Sequence, residues 1–294
     1  MELDDVRAFV RVADTGSVSE AARDLHVTQS AITRRLQRLE ISLGATLLNR
    51  GTRPVQVTAV GQSTLPRCRR LLNEAREVRA AAANNDFSMG EIRIGVAHAL
   101  TEITLTHPVD LMRRKFPNVG LRLGTGWSRD LLEGVRSGVL DSAVILLPEG
   151  EPLPPEVSGA KLGKERLVIV GSRGKNPARA RKVQDLAGKQ WILNPEGCAA
   201  RAALRRALLR ENIDMIVGVE AYNYELQLAL VAQNRGFSLV PERILARSRV
   251  RSHLRTLQVA GLSFPLIVWI VHGQSSAGFD RVLAELRRAL AESL

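Results

Sequence analysis

The chain has 294 residues, 45% of them hydrophobic and 24% charged, with a formal net charge of +12. That length suits two or three domains with full cores, and no apolar run reaches the ~20 residues that a membrane-spanning helix needs. The basic surplus favours an anionic partner, but Lys and Arg are spread over the whole chain, so charge permits nucleic-acid binding without establishing it.

In chain order, the first residues are acidic (Glu2, Asp4, Asp5) where a secretory leader is basic and then apolar, which points to the cytoplasm. Leu3, Val6, Phe9, Val10 and Ala13 recur at three- and four-residue steps and predict a first amphipathic helix. Asp14, Thr15 and Gly16 interrupt it. Ser17, with Glu20 three residues on, forms a capping box that opens a second, short helix with Ala21, Ala22 and Leu25 inward. After a tight turn at His26 and Val27, Thr28 can cap a third helix over 29–43. Its apolar side is Ile32, Leu36, Leu39 and Leu43; its other side offers Gln29, Ser30, Thr33, Arg34, Gln37 and Arg38. Two short helices, a turn and a polar-fronted third helix make a helix-turn-helix. Such a helix enters the major groove N-terminus first, where Gln suits adenine and Arg suits guanine. The competing reading is an ordinary solvated helix face. Residues 47–58 read as two short strands around a Gly/Pro turn, a wing that brings Arg50 and Arg53 to phosphates or a minor groove. The candidate DNA contacts are Ser17, Thr28, Gln29, Ser30, Thr33, Arg34, Gln37, Arg38, Arg50 and Arg53.

Thr58 can cap a long helix carrying Leu65, Cys68, Leu71, Leu72, Ala75, Val78 and Ala82 on one side, with Pro66 as a bend. Positions 68, 71, 75, 78 and 82 have the spacing of a coiled-coil seam, although a helix packed on its own domain shows the same stripe. A polar hinge follows over 84–90. Beyond it, strands at 92–96, 119–123 and 141–147 alternate with helical segments, the last of these at 128–135. After a Pro-rich connection at 148–155 come strands at 166–170 and 190–193, a helix at 199–210, a strand at 215–219, a helix at 225–234 and a strand at 237–241. A strand at 265–271 and a helix at 277–294 close the chain. The alternation predicts a parallel sheet covered by helices.

The run Leu3, Phe9, Val12-Ala13, Gly16-Ser17, Ala21-Ala22, Leu25-His26-Val27-Thr28-Gln29-Ser30-Ala31-Ile32-Thr33, Leu39-Glu40, Leu43-Gly44, Leu47-Leu48, Arg50, Thr58 and Gly61 resembles the LysR-type regulator family. Three positions depart from its pattern: Ser30 where Pro is frequent, Leu48 where Phe is usual, and Val60 before Gly61 where Ala is frequent. The resemblance implies an N-terminal winged helix-turn-helix (1–58), a linker and dimerisation helix (59–86) and a bilobed α/β effector domain (87–294) similar to periplasmic binding proteins. The last strand and helix would return to lobe I (about 90–162 and 266–294), with lobe II at about 163–265 and two crossing strands between them. It also implies double-stranded promoter DNA as partner, a small-molecule effector with an anion among the options, a homodimer through the linker helix and a homotetramer on DNA. RNA polymerase is a further candidate partner; a membrane is not, and no cofactor or metal is implied.

The effector cleft implied for this sequence is lined by 97–101, 125–128, 194–201 and 222–225, near strand ends and helix N-termini. Within it, Thr101, Ser128 and Asn194 can hydrogen-bond an anion, Arg201 can pair with a carboxylate, and Trp127 and Tyr222 can cover an apolar body. His98, Ala99 and Leu100 stand where relatives carry a hydroxyl. The bland alternatives are a packing Trp127, a Thr101 that only caps, a structural His98, and buried, idle thiols at Cys68 and Cys198 rather than a redox-sensing Cys198. Neither cysteine fits a metal spacing. Enzyme motifs are lacking: there is no phosphate-binding loop, no Gly-x-Ser-x-Gly and no paired zinc ligands. A solute-binding module would leave the first sixty residues unexplained, and a ligand-free architectural DNA binder is the remaining alternative.

Overall fold

The computed structural model describes residues 1–82, 90–101, 106–174, 179–273 and 279–293. At the N-terminus, α1 (Leu3–Thr15), α2 (Val18–Asp24) and α3 (Gln29–Leu43) close on a small core of Val6, Phe9, Val12, Ile32, Leu36 and Leu39. The inward stripe of α1 is turned from the one its spacing predicts. Ala8 and Val12 are buried, whereas Leu3, Val10 and Ala13 are only half-buried. Asp5 turns inward with them, at 1% exposure. Leu43, expected inside, is 42% exposed, because the last turn of α3 runs past the core before ending at Gly44.

The wing is the antiparallel pair β1 (Leu48–Asn49) and β2 (Gln56–Val57). Gly16 fixes its seat. With φ at +65°, it ends α1 and presses so closely on the wing that an added Cβ would stand 2.9 Å from Cβ of Pro54. Val55 N–H donates to the Gly16 carbonyl at 2.8 Å, completing the dock. Thr58 then starts α4 (Ala59–Ala82): its hydroxyl oxygen accepts from Gly61 N–H at 3.0 Å and donates to the Thr46 carbonyl at 2.8 Å. Pro66 is accommodated inside this helix. Cys68 departs from the expected seam. It is buried in the N-terminal core with Leu65 and Leu72 packed beside it, because this side of α4 covers α1. Among the described residues, the large apolar side chains that α4 leaves in solvent are Val60, Leu71 and Val78.

The expected hinge residues 84–89, and positions 277, 278 and 294 of the terminal helix, lie outside the described residues. From Gly90 the chain builds β3 (Gly90–Ala97), α5 (Thr106–Lys115), β4 (Val119–Gly126), α6 (Ser128–Arg136) and β5 (Ser142–Pro148). Strand β3 lies between β4 and β5, parallel to both. The next strand, β6 (Val157–Ser172), is much longer than the strand predicted at 166–170. Its first half was illegible because it borders the lobe I sheet, pairing on one side only, and its polar residues face water.

Lobe II follows with β7 (Gln190–Leu193), α7 (Ala199–Arg210), β8 (Ile216–Glu220), α8 (Tyr224–Ala232), β9 (Ser238–Pro241), α9 (Glu242–Arg247) and β10 (Leu254–Leu257). Then β11 (Pro265–Gly273) returns to lobe I and α10 (Asp280–Ser293) packs on α5. The sheet is mixed rather than wholly parallel. Strand β11 runs antiparallel to both β5 and β6, and β9 and β10 run antiparallel to β6. Strand β6 carries the chain out of lobe I and β11 carries it back, so the two run in opposite directions where they pair. Along β6, Arg166 still pairs with Pro265 in lobe I, and Leu167 already pairs with Pro241 in lobe II. No described helix is long and apolar enough to cross a membrane.

Candidate DNA interface and interlobe cleft

The exposed side of α3 is built by its underside. With Ile32, Leu36 and Leu39 pinned in the core, 3.6-residue periodicity turns Gln29, Ser30, Arg34 and Gln37 outward, and all four are exposed. Thr28 caps the helix, accepting from Ala31 N–H at 3.2 Å, and its hydroxyl lies 3.0 Å from that of Ser30. Thr33 is half-exposed and donates to the Gln29 carbonyl at 3.0 Å. Ser17 caps α2 through Glu20 N–H at 3.3 Å, as its spacing predicts.

The arginines of this face differ in freedom. Arg34 has no partner among the described residues and stands in water. Arg38 is anchored, donating to the buried Asp5 carboxylate at 2.6 Å while its side chain stays 60% exposed. Arg35 reaches Asp4 at 3.3 Å. Arg50 is drawn back to Glu40 at 2.7 Å, and the same carboxylate accepts from Leu47 N–H at 2.8 Å. Of the two wing arginines only Arg53 projects unpaired. Both α1–α3 ion pairs were missed in the sequence, where Asp4 and Asp5 registered only as a non-secretory N-terminus.

The cleft residues come together in part. Trp127 is central: its ring centroid lies 4.5 Å from that of His98 and 6.3 Å from that of Tyr222, which is 69% exposed. It also packs on Gly197 of lobe II, where an added Cβ would stand 3.3 Å from Cβ of Trp127. Burial lowers the His98 pKa, which favours the neutral imidazole. Ala99 and Leu100 belong to the core rather than to a ligand surface, at 7% and 0% exposure. Thr101 donates to the His98 carbonyl at 2.8 Å, the local capping role. Ser128 is buried and accepts from Leu146 N–H at 3.0 Å, tying α6 to β5.

In lobe II the buried Asn194 donates to the Ala221 carbonyl at 3.1 Å. Arg201 corrects the expectation of a free carboxylate receptor. It is 8% exposed and already held by Glu220 at 2.5 Å, Glu196 at 3.0 Å and the Asn194 carbonyl at 3.0 Å. Cys198 is buried beside Tyr224, and desolvation raises its thiol pKa, the opposite of the lowered pKa of a reactive thiolate. Burial likewise pushes Tyr224 well above the usual tyrosine value, with the charges of Cys198 and Glu165 adding to the shift. Glu165, on the crossing strand, is 3% exposed and its Oε2 accepts no hydrogen bond; Arg243 stands 3.5 Å away. Burial raises its carboxyl pKa more than Arg243 lowers it. Glu165 and Glu220 had no sequence signal; Glu196 and Tyr224 lie inside the implied cleft segments 194–201 and 222–225 but were given no role there. Among the described residues, no group of three or more His, Cys, Asp or Glu could hold a metal.

Two family descriptions match the chain: "Bacterial regulatory helix-turn-helix protein, lysR family" over residues 3–62 and "LysR substrate binding domain" over residues 85–293. Among curated relatives, the HTH-type transcriptional regulator GltR of Bacillus subtilis is 29% identical over 257 residues, covering 86% of this chain and 85% of its own. Among solved structures, a full-length OxyR variant from Pseudomonas aeruginosa superposes with a TM-score of 0.77 at 21% identity, over 99% of this chain and 94% of that one. ArgP from Mycobacterium tuberculosis gives a TM-score of 0.70 at 20% identity, over 99% and 97%. CbnR, solved in complex with its target DNA, gives 0.60 at 22% identity over the whole of both chains. At these identities the structural likenesses speak for the fold.

Proposed function

The chain belongs to the LysR family of transcriptional regulators, with its DNA-binding and effector-binding domains, and from that membership we propose how its own residues divide the work. The start of α3 lies in the major groove of promoter DNA. There Gln29, Ser30, Arg34 and Gln37 meet base edges, while Arg53 of the wing meets the backbone. Arg38, fixed by Asp5, and Arg50, fixed by Glu40, act as positioned phosphate contacts. The amphipathic split of α3 carries this reading: buried aliphatic residues beneath, and amides with an unpaired guanidinium above.

Two copies pair through the apolar residues that α4 leaves exposed, with Leu71 and Val78 one heptad apart. Pairs of dimers then span the promoter, where RNA polymerase is reached, in the cytoplasm. The effector enters between the lobes against Trp127, His98 and Tyr222. With Arg201 neutralised by two glutamates, an aromatic or apolar body suits that surface better than a lone carboxylate. An effector that prefers one lobe angle shifts the spacing of the DNA-binding pairs, and couplings of this kind run at ~1–3 kcal/mol.

Footprinting on the chain's own promoter tests the assignment. Arg34→Ala and Gln29→Ala are each expected to relax discrimination at one position, with ~1–3 kcal/mol at stake per base contact. Unchanged protection and unchanged base preference in both variants would remove α3 as the reader.

A further inference from the structure

Where the two crossing segments pass between the lobes, they do not run side by side throughout. Strand β10 ends with Leu257 opposite Ile169, and β11 begins with Pro265 opposite Arg166. Over that stretch β6 advances by Leu167 and Val168 alone, while residues 258–264 swing outward. Ala260 N–H pins this excursion to the Arg181 carbonyl at 2.8 Å. The result is a groove of about 1790 Å³ that none of His98, Trp127, Asn194, Cys198 or Tyr222 lines.

The groove is strongly basic. Lys164, Arg166, Arg179, Arg181, Lys189 and Arg255 line it, against Glu165 and Asp185. Asp185 is committed to the backbone N–H groups of Arg181 and Lys182, at 2.7 and 3.0 Å. Lys164 is satisfied by Glu149 at 2.7 Å, and Arg166 faces Glu242 at 3.9 Å. Arg179, Arg181 and Arg255 have no carboxylate partner among the described residues. Three guanidiniums without a carboxylate partner thus border one concavity, and planar donor forks of this kind suit phosphate oxygens. The concavity is open to solvent and, at about 1790 Å³, wider than the ~300–1,000 Å³ of an ordinary small-ligand pocket, which leaves room for an anion together with an organic body. Leu257, Val259, Leu262 and Phe264 supply an apolar floor.

We propose that this hinge groove is a second ligand site, separate from the interlobe cleft, that takes a phosphate-bearing polyanion. Lys164 and Arg166 precede the switch of strand pairing, and Arg179, Arg181 and Arg255 follow it. A polyanion held by the second set and drawing Lys164 and Arg166 from their solvent-exposed partners Glu149 and Glu242 bridges the lobes and favours the lobe angle at which both sets reach it.

The test is calorimetric titration of the full chain with inorganic pyrophosphate and with ATP, at constant ionic strength, without magnesium. Wild type is compared with the double variant Arg181→Gln/Arg255→Gln and with Lys182→Gln, whose side chain lies outside the groove. Saturable binding is expected in wild type and Lys182→Gln, with affinity at least tenfold lower in the double variant at an unchanged melting midpoint. ATP binding more tightly than pyrophosphate assigns the apolar floor to the organic part; equal affinities assign recognition to phosphate alone. The proposal is overturned if neither probe binds, or if Lys182→Gln loses as much as the double variant, the mark of diffuse charge. It is also overturned if the double variant loses affinity for a DNA duplex more than Lys182→Gln does, which would make the groove a nucleic-acid surface.

Discussion

Neighbouring acids on α1 allow burial and charge to be weighed against each other. Asp4 and Asp5 each contact an arginine of α3, yet Asp4 is 50% exposed at its side chain and Asp5 only 1%. Replacing Asp5 with Ala removes the hydrogen bond to Arg38 and the one from Glu2 N–H to Oδ2 at 3.2 Å, which secures the first turn of α1. A charge-assisted hydrogen bond is worth ~1.5–3 kcal/mol; because Arg38 is largely exposed and turns to water, the lower half of that range applies here. Loss of the helix-start contact adds about 1 kcal/mol, so Asp5→Ala is expected to cost about 2–3 kcal/mol. Asp4→Ala breaks contacts to Arg7 and Arg35 that lie in solvent, and should cost no more than about 1 kcal/mol. Guanidinium denaturation of the full chain, followed by circular dichroism, measures both. Equal losses, or a smaller loss for Asp5→Ala, would refute the claim that burial rather than the arginine contact sets the energy.

Gly61 offers a steric counterpart, since an added Cβ would stand 2.2 Å from the Leu47 carbonyl oxygen and 2.6 Å from Val57 Cγ1. Gly61→Ala should therefore reach or exceed the ~1–3 kcal/mol of an overpacked site. Gly44→Ala meets no atom within 4 Å and bears only the left-handed backbone cost of about 1–2 kcal/mol. A melting midpoint lower for Gly44→Ala than for Gly61→Ala would contradict this ordering. Glu165 gives a pH signature. A carboxyl whose pKa is higher folded than unfolded keeps its proton longer in the native state, so its stabilising share is full below the unfolded pKa and drains away as pH rises through the folded one. Glu165→Gln should thus gain on wild type as pH climbs from the ordinary carboxylate value and then hold that advantage. Midpoints recorded between about pH 4 and 8 that differ by a constant amount would sink the assignment.

What the sequence made legible is what neighbours along the chain decide. Caps at Ser17 and Thr28, the buried trio of α3 and the wing all follow from spacing within a few residues. So do β7 and α7, whose ends match those predicted. Contacts between distant segments were not legible. Arg201 was expected to pair with a ligand carboxylate, and Glu220, 19 residues on, already pairs with it. Cys68 fits a seam by period alone, and only the position of α1 decides which side of α4 is buried. Ser128 has the placement of an anion ligand, and nothing near it in sequence told that its oxygen accepts from the Leu146 amide, brought up by β5. Strand β10 gave no signal because Leu254 and Leu257 are its only buried residues, separated by Arg255 and Thr256.

Strand β6 is 16 residues long and paired in both lobes, with one register shift at Leu162 inside lobe I and none where Arg166 gives way to Leu167 at the lobe boundary. It therefore works as a torsion element rather than a free joint: reorienting one lobe must twist a backbone that both sheets share, and strain at either end is felt at the other. The same continuity makes lobe II an unsuitable fragment for dissection. Cutting at the switch of partners would split a single strand and strip each half of its stacking continuity, so excised lobes should associate or precipitate rather than fold as separate bodies.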